Sequence, residues 1–250
     1  MVKHKEITKV DAKHQFAFYL EDITNFINSL KLVTLRNKDL HHRLSRVVKL
    51  AAGDTFILFN TVSHVVCELL EYTKQEVIIR IVAVKNNTII TPQIVYMLPL
   101  LKKEALQDAV YSLTEIGVNV IQLVVTQKSR QSITSKEFER LKKTIISAAE
   151  QSKNYVFPDL QEAVTLSLYV SNIAKNSNKI LFDVDGTSFF TLRSELQNKD
   201  CCLMVGPEGG LVKDEIDLLK KNNFKLCLLT PTVLRAVQAV AVSSALCRLQ

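Results

Sequence analysis

Histidine stops at position 64 of this 250-residue chain, with His4, His14, His41, His42 and His64 the whole set. The longer C-terminal part therefore has no imidazole of its own for a Ser/His triad, a Cys/His dyad or a histidine-ligated metal, and no metal site is expected there. Five cysteines, Cys67, Cys201, Cys202, Cys227 and Cys247, are odd in number and lack paired ligand spacing. That favours small buried side chains in a reduced compartment over a disulfide framework or a zinc site. No apolar run approaches the ~20 residues that span a bilayer. The first residues, MVKHKEITKV, carry charge where a secretory signal is apolar. A soluble cytosolic protein without a membrane partner is the expectation. Glycine is also scarce, and neither G-x-G-x-x-G nor G-x-x-x-x-G-K-[ST] occurs, which argues against the phosphate loops of dinucleotide and nucleoside triphosphate folds.

What glycine there is has been concentrated. Three of the six glycines and one of the five prolines fall within Gly206-Pro207-Glu208-Gly209-Gly210. Hydrophobic residues make up 47%, enough for a real core, and the net charge is +7. Part of that charge is local: Lys31, Arg36, Lys38, Arg43, Arg46 and Lys49 face the single acid Asp39, with His41 and His42 alongside. Such a run is either a solvated helix face or a surface that tracks phosphates.

Residues 54–84 read as short β-branched or alternating runs, DTFILFN, VSHVVCELL and EVIIRIVAV, the pattern of a small antiparallel sheet or barrel. Leu40, Leu44, Val47 and Val48 predict a short basic helix just before them. After the polar break Lys85-Asn86-Asn87-Thr88 the pattern becomes alternating strand and helix, so the domains are drawn at 1–87 and 88–250. The strands are QIVYML, VNVIQLVV, KILFDV, CCLMV and KLCLLT; helices are expected over 101–116, 135–152, 159–174, 189–197, 213–222 and 233–249. Repeated βα alternation predicts a mostly parallel sheet with helices on both faces, and Cys201 and Cys202 on opposite faces of one strand.

In such sheets ligands sit at the carboxyl ends of strands. CCLMV runs directly into Gly206, and KLCLLT into Pro231-Thr232. Glycines let a ligand touch the main chain and Pro207 stiffens the entry, so the loop is built to present backbone, with the first turn at Lys213-Asp214-Glu215 expected nearby. Without histidine, chemistry that needs alignment more than strong acid–base groups fits best, as in transfer from an activated donor.

Gly206-Pro207-Glu208-Gly209-Gly210 after an apolar strand, then Leu229-Thr230-Pro231-Thr232-Val233-Leu234-Arg235-Ala236 before a terminal helix, resembles the ribosomal RNA small-subunit methyltransferase E family of the SPOUT superfamily. The resemblance extends to His42-Arg43-Leu44-Ser45-Arg46-Val47-Val48-Lys49-Leu50, Glu115-Ile116-Gly117-Val118 and Ala148-Ala149-Glu150-Gln151-Ser152. It implies an N-terminal PUA-like β-barrel for RNA and a C-terminal SPOUT α/β domain tied in a deep trefoil knot. It further implies a homodimer using S-adenosylmethionine to methylate N3 of a uridine in small-subunit (16S) ribosomal RNA, free or in the assembled subunit.

Carried onto this chain, the resemblance assigns the donor to Phe182, Asp183, Gly206, Pro207, Glu208, Gly209, Gly210, Leu229, Pro231 and Leu234, with Leu211 as a further apolar wall. Arg235 would stabilise the developing anion of the base, and Glu208 or solvent would take the N3 proton. Arg43, Arg46 and Lys49 would hold RNA. The duller roles are an ion pair or helix cap for Arg235 and a helix cap for Glu208. Where the family pattern continues threonine-glutamate-threonine, this chain has Ala236-Val237-Gln238, and Lys153-Asn154 stand where many members place arginine. The lost acid keeps an alternative open, a catalytically idle RNA-binding protein of ribosome assembly.

Overall fold

The computed structural model describes residues 15–27, 32–173, 178–196 and 199–249. Lys31, His4 and His14 lie outside these residues. The chain divides into two compact units, Met1–Asn87 and Thr88–Gln250.

The first unit holds strands β1 (Ala17–Tyr19) and β2 (Leu32–Leu35), helix α1 (Lys38–His42) running into a π-helical turn (Arg43–Val48), and strands β3 (Thr55–Phe59), β4 (Ser63–Tyr72) and β5 (Val77–Asn86). They form one sheet in the order β1-β3-β4-β5-β2. The three runs expected as strands are its centre, antiparallel in sequence order. The short strands β1 and β2 were not expected; β1 pairs parallel with β3. Among the described residues β1 and β2 are edges that do not pair, so the sheet is open where a closed barrel was expected. Strands of three and four residues, each already bonded on one side, leave it so. Phe56, Leu58, Val65, Cys67, Leu69, Val77 and Ile79 alternate onto one face and pack with Leu40 and Leu44 of the helix. Each such side chain contributes roughly 1.5–3 kcal/mol, against ~0–1 kcal/mol for an exposed pair such as Arg36–Glu76. The helix is therefore placed by its apolar stripe, and its basic residues follow.

The second unit runs β6 (Ile94–Pro99), α2 (Lys103–Ile116), β7 (Val120–Val125), α3 (Ser135–Ser152), β8 (Asp159–Thr165), α4 (Leu166–Asn172), β9 (Asn178–Ser188), α5 (Phe189–Leu196), β10 (Cys201–Val205), α6 (Lys213–Lys221), β11 (Phe224–Leu228) and α7 (Ala236–Arg248). The sheet order is β11-β9-β10-β6-β7-β8, with every pairing parallel. Strand β10 is buried throughout. Cys201, Leu203 and Val205 join the core beneath α2, α3 and α7, while Cys202 and Met204 join the one beneath α4 and α6. The two adjacent cysteines thus face opposite layers, and burial pushes their thiols up to about 11 and about 12.

Helix α2 buries Leu106, Ala109, Val110 and Leu113 at helical spacing and ends at Gly117, whose φ of 84° is the left-handed cap that glycine adopts without cost. Thr134 opens α3 with a capping box to Glu137. Two helix expectations are corrected. Residues 159–165 form a strand, because the free edge of β7 offers partners to Asp159 through Thr165, and only 166–172 is helical. Helix α7 begins at Ala236 rather than 233, since Arg235 is extended at its N-cap and Val233-Leu234 stay in the loop.

Candidate functional site

Four chain segments meet at the carboxyl ends of β10 and β11, beside the middle of β9. They enclose a cavity of about 740 Å³ lined by the loop after β10, Phe182-Asp183-Val184 of β9, the segment running from β11 into α7, and the first turns of α2. That volume is typical of a small-molecule site.

The loop after β10 is a turn closed by Gly210 N donating to Pro207 O at 2.8 Å. Gly210 has φ of 70°, a conformation that costs an L-residue roughly 1–2 kcal/mol. Gly209 has a different reason to lack a side chain. A Cβ there would meet Lys128 Cβ at 3.2 Å, so it packs on the loop after β7 and does not line the cavity. Glu208 is exposed, and its Oε1 accepts from Lys102 N, the N-cap of α2, at 3.1 Å. It caps a helix more than a hundred residues away in sequence. The next helix offers the cavity nothing: Glu215 takes Val212 N and Gln127 N, and Leu211 packs in the core under α4 and α6.

Of the residues carried over for the donor, the cavity is lined by Phe182, Asp183, Gly206, Pro207, Glu208, Gly210, Leu229 and Leu234; Gly209 and Pro231 stand outside the lining. Arg235 lines it too, exposed, and among the described residues its guanidinium forms no ion pair or hydrogen bond.

Glu104, Asp108 and Gln238 belong to the lining and were missed as site residues. Glu104 and Asp108 lie on one face of α2 at i, i+4 spacing, and neither is bonded among the described residues. Asp183 accepts from Asp185 N at 3.0 Å within β9. With Glu208 the lining has four carboxylates against the one guanidinium of Arg235, an arrangement that favours a ligand bearing positive charge. Gln238 carries a different signal. Its Oε1 is buried without a hydrogen-bond donor among the described residues, a state that costs about 1–3 kcal/mol unless a ligand supplies the donor.

Helix α7, which brings Arg235 and Gln238 here, is fastened from behind. Tyr96 of β6 and Ser243 share a buried hydrogen bond of 2.7 Å between hydroxyls. At its far end Arg248 donates to Pro92 O and Gly117 O, each at 2.6 Å, and to Asn119 Oδ1 at 3.0 Å.

In the N-terminal unit the basic run is partly spent. Arg36 pairs with Glu76, and the Arg43 guanidinium stands 4.8 Å from the centre of the Phe18 ring. Arg46 and Lys49 are exposed on successive turns, with Lys49 in the left-handed cap of the π-helical turn.

The model of the RNA methyltransferase domain family matches residues 90–248. Among relatives, the ribosomal RNA small subunit methyltransferase E of Rickettsia conorii is 28% identical over 214 residues, covering 83% of this chain and 86% of its own. The enzyme of the same name from Synechocystis is 26% identical over 228 residues, covering 85% and 71%. Among solved structures, the ribosomal RNA small subunit methyltransferase E of Neisseria gonorrhoeae, bound to S-adenosyl methionine, superposes with a TM-score of 0.81 at 20% identity, covering 93% of this chain and 96% of its own. A methyltransferase of Legionella pneumophila in complex with the same cofactor also gives 0.81, at 22% identity and 95% and 98% coverage. These structures share the fold, and the family resemblance read from the GPEGG and Leu-Arg segments stands. The chain belongs to the RNA methyltransferase domain family.

Proposed function

We propose that this chain is an S-adenosylmethionine-dependent methyltransferase that modifies N3 of a uridine in small-subunit (16S) ribosomal RNA. The observation that carries the reading is the strand-end cavity, walled by the Gly206-Pro207 turn and by carboxylates, with Arg235 at its rim unpartnered among the described residues. The residues present fit the donor: Gly206 and Leu229 offer main chain, Phe182 and Leu234 offer apolar surface, and the excess of carboxylates suits a cation. The Oε1 of Gln238, without a donor among the described residues, suits a polar group of the kind a nucleoside carries. When bound, S-adenosylmethionine supplies a methyl group activated by its sulfonium.

The chain's own residues orient and stabilise. N3 lies on the pairing edge, so the base must be unpaired or flipped to enter. Arg235 then stands ready to stabilise negative charge as N3 loses its proton. Glu208 has one oxygen engaged by Lys102 N and the other unbonded among the described residues, and either that oxygen or solvent receives the proton. Residues 1–87 act as a PUA-like RNA-binding domain through Arg43, Arg46 and Lys49, and 88–250 as a SPOUT domain with a deep trefoil knot. The protein works in the cytoplasm as a homodimer. Relatives named for the same activity support the reading.

Val237, standing where the resembled family's pattern has an acid, favours one other reading, an idle RNA-binding assembly protein. Labelled methyl transfer to small ribosomal subunits lacking base methylation, with the product identified by mass, decides between them. N3-methyluridine is the expected product; intact RNA binding without transfer would establish the idle binder. Arg43→Glu with Arg46→Glu should weaken RNA association and flatten its salt dependence, and an unchanged salt titration would clear that surface of the role.

A further inference from the structure

Gln238 is the polar group in the cavity wall whose position asks for a particular partner. It sits in the first turn of α7, three residues beyond the N-cap Arg235, and both residues line the cavity. Its Oε1 is buried and lacks a donor among the described residues. The helix is held by the Tyr96–Ser243 bond and the Arg248 clamp, which leaves it little freedom to relieve the mismatch.

The chemistry of that acceptor selects among ligand donors. An uncharged, desolvated oxygen suits an uncharged N–H that is itself buried. A cationic ammonium is better served by Glu104 and Asp108, which are exposed, ionic and unbonded among the described residues. We propose that Gln238 Oε1 accepts a hydrogen bond from the 6-amino group of the donor's adenine, so that in this chain Gln238 selects the adenine nucleoside. The inference rests on the methyl-donor reading and adds a specificity residue to it.

Calorimetric titration separates the two. Wild type and Gln238→Leu are each titrated with 5′-methylthioadenosine, with S-adenosylhomocysteine, and with the purine counterpart of methylthioadenosine, which has hydrogen in place of the amine. The substitution should weaken both adenine ligands about tenfold. The purine counterpart should bind wild type about tenfold more weakly than methylthioadenosine does, and Gln238→Leu should no longer distinguish them. Because leucine removes an unsatisfied acceptor, the unliganded variant should unfold at the same temperature as wild type or a few degrees higher. Gln238→Met repeats the test should leucine fail to fold.

Loss confined to S-adenosylhomocysteine would assign Gln238 to the amino-acid half and overturn the proposal. Unchanged affinities, or a fall of several degrees in both unliganded variants, would overturn it as well. If wild type binds neither adenine ligand, the methyl-donor reading itself fails, a result distinct from the other outcomes.

Discussion

The two ends of helix α7 carry arginines of opposite employment. At the C-terminal end Arg248 is half-buried and donates to two carbonyls and an amide oxygen. At the N-terminal end Arg235 is exposed and unbonded among the described residues, and Gln238 buries an acceptor that nothing there satisfies. One end holds the fold together; the other holds bonding capacity in reserve beside a cavity. Arg248 Nε is also buried without a partner among the described residues, so the difference teaches that an unused polar atom points to function only where it lines a cavity, as that of Gln238 does.

That contrast can be broken at each end. Arg235→Ala should lower methyl transfer by roughly 10²–10³-fold, the scale of losing one preorganised charge contact, while leaving thermal unfolding unmoved. A comparable fall in unfolding temperature would return Arg235 to a structural role. Arg248→Met should do the reverse, costing about 2–4 kcal/mol in denaturant unfolding because buried acceptors lose a charged donor. Its donor affinity, measured on the folded fraction, should stay near wild type.

The clamped end also has a pH signature. Burial pushes Cys201, which lies near Arg248, up to about 11, and Cys202 up to about 12, from an ordinary 9.0. A raised thiol contributes stability that is complete below pH 9 and is lost as pH rises through 11 to 12. Unfolding followed against pH should show that alkaline loss, and thiol reagents should leave both residues unmodified in the folded protein at pH 8. Rapid modification there would place the thiols at the surface. Smallest is Gly210→Ala, expected to cost about 1 kcal/mol for the forced positive φ and to weaken donor binding through the displaced turn; an unchanged midpoint would show that the turn relaxes freely.

Much of this was legible in the residues. Scarce glycine and proline concentrated after an apolar strand located the loop at the end of β10, and the alternation of strand and helix recovered most of the parallel sheet. Single-chain patterns miss what depends on distant partners. Residues 159–165 became a strand because β7 had an open edge, and their apolar spacing fits a helix as well. Gly209 looked like part of the cradle, yet its neighbour is Lys128 on another loop. Nothing local to Glu104 or Asp108 announces that the first turns of α2 abut the loop after β10, a contact that the Glu208 to Lys102 bond makes across the fold. Gln238 was visible as a departure from the family pattern, but the burial of its oxygen was not.

Amide hydrogen exchange with and without S-adenosylhomocysteine tests most directly whether the open end of α7 is the working end. Protection should rise over 205–210 and 228–238 and remain unchanged around Arg248. Protection confined to the smaller cavity between Leu166 and Leu218, or absent altogether at saturating ligand, would contradict the placement of the site.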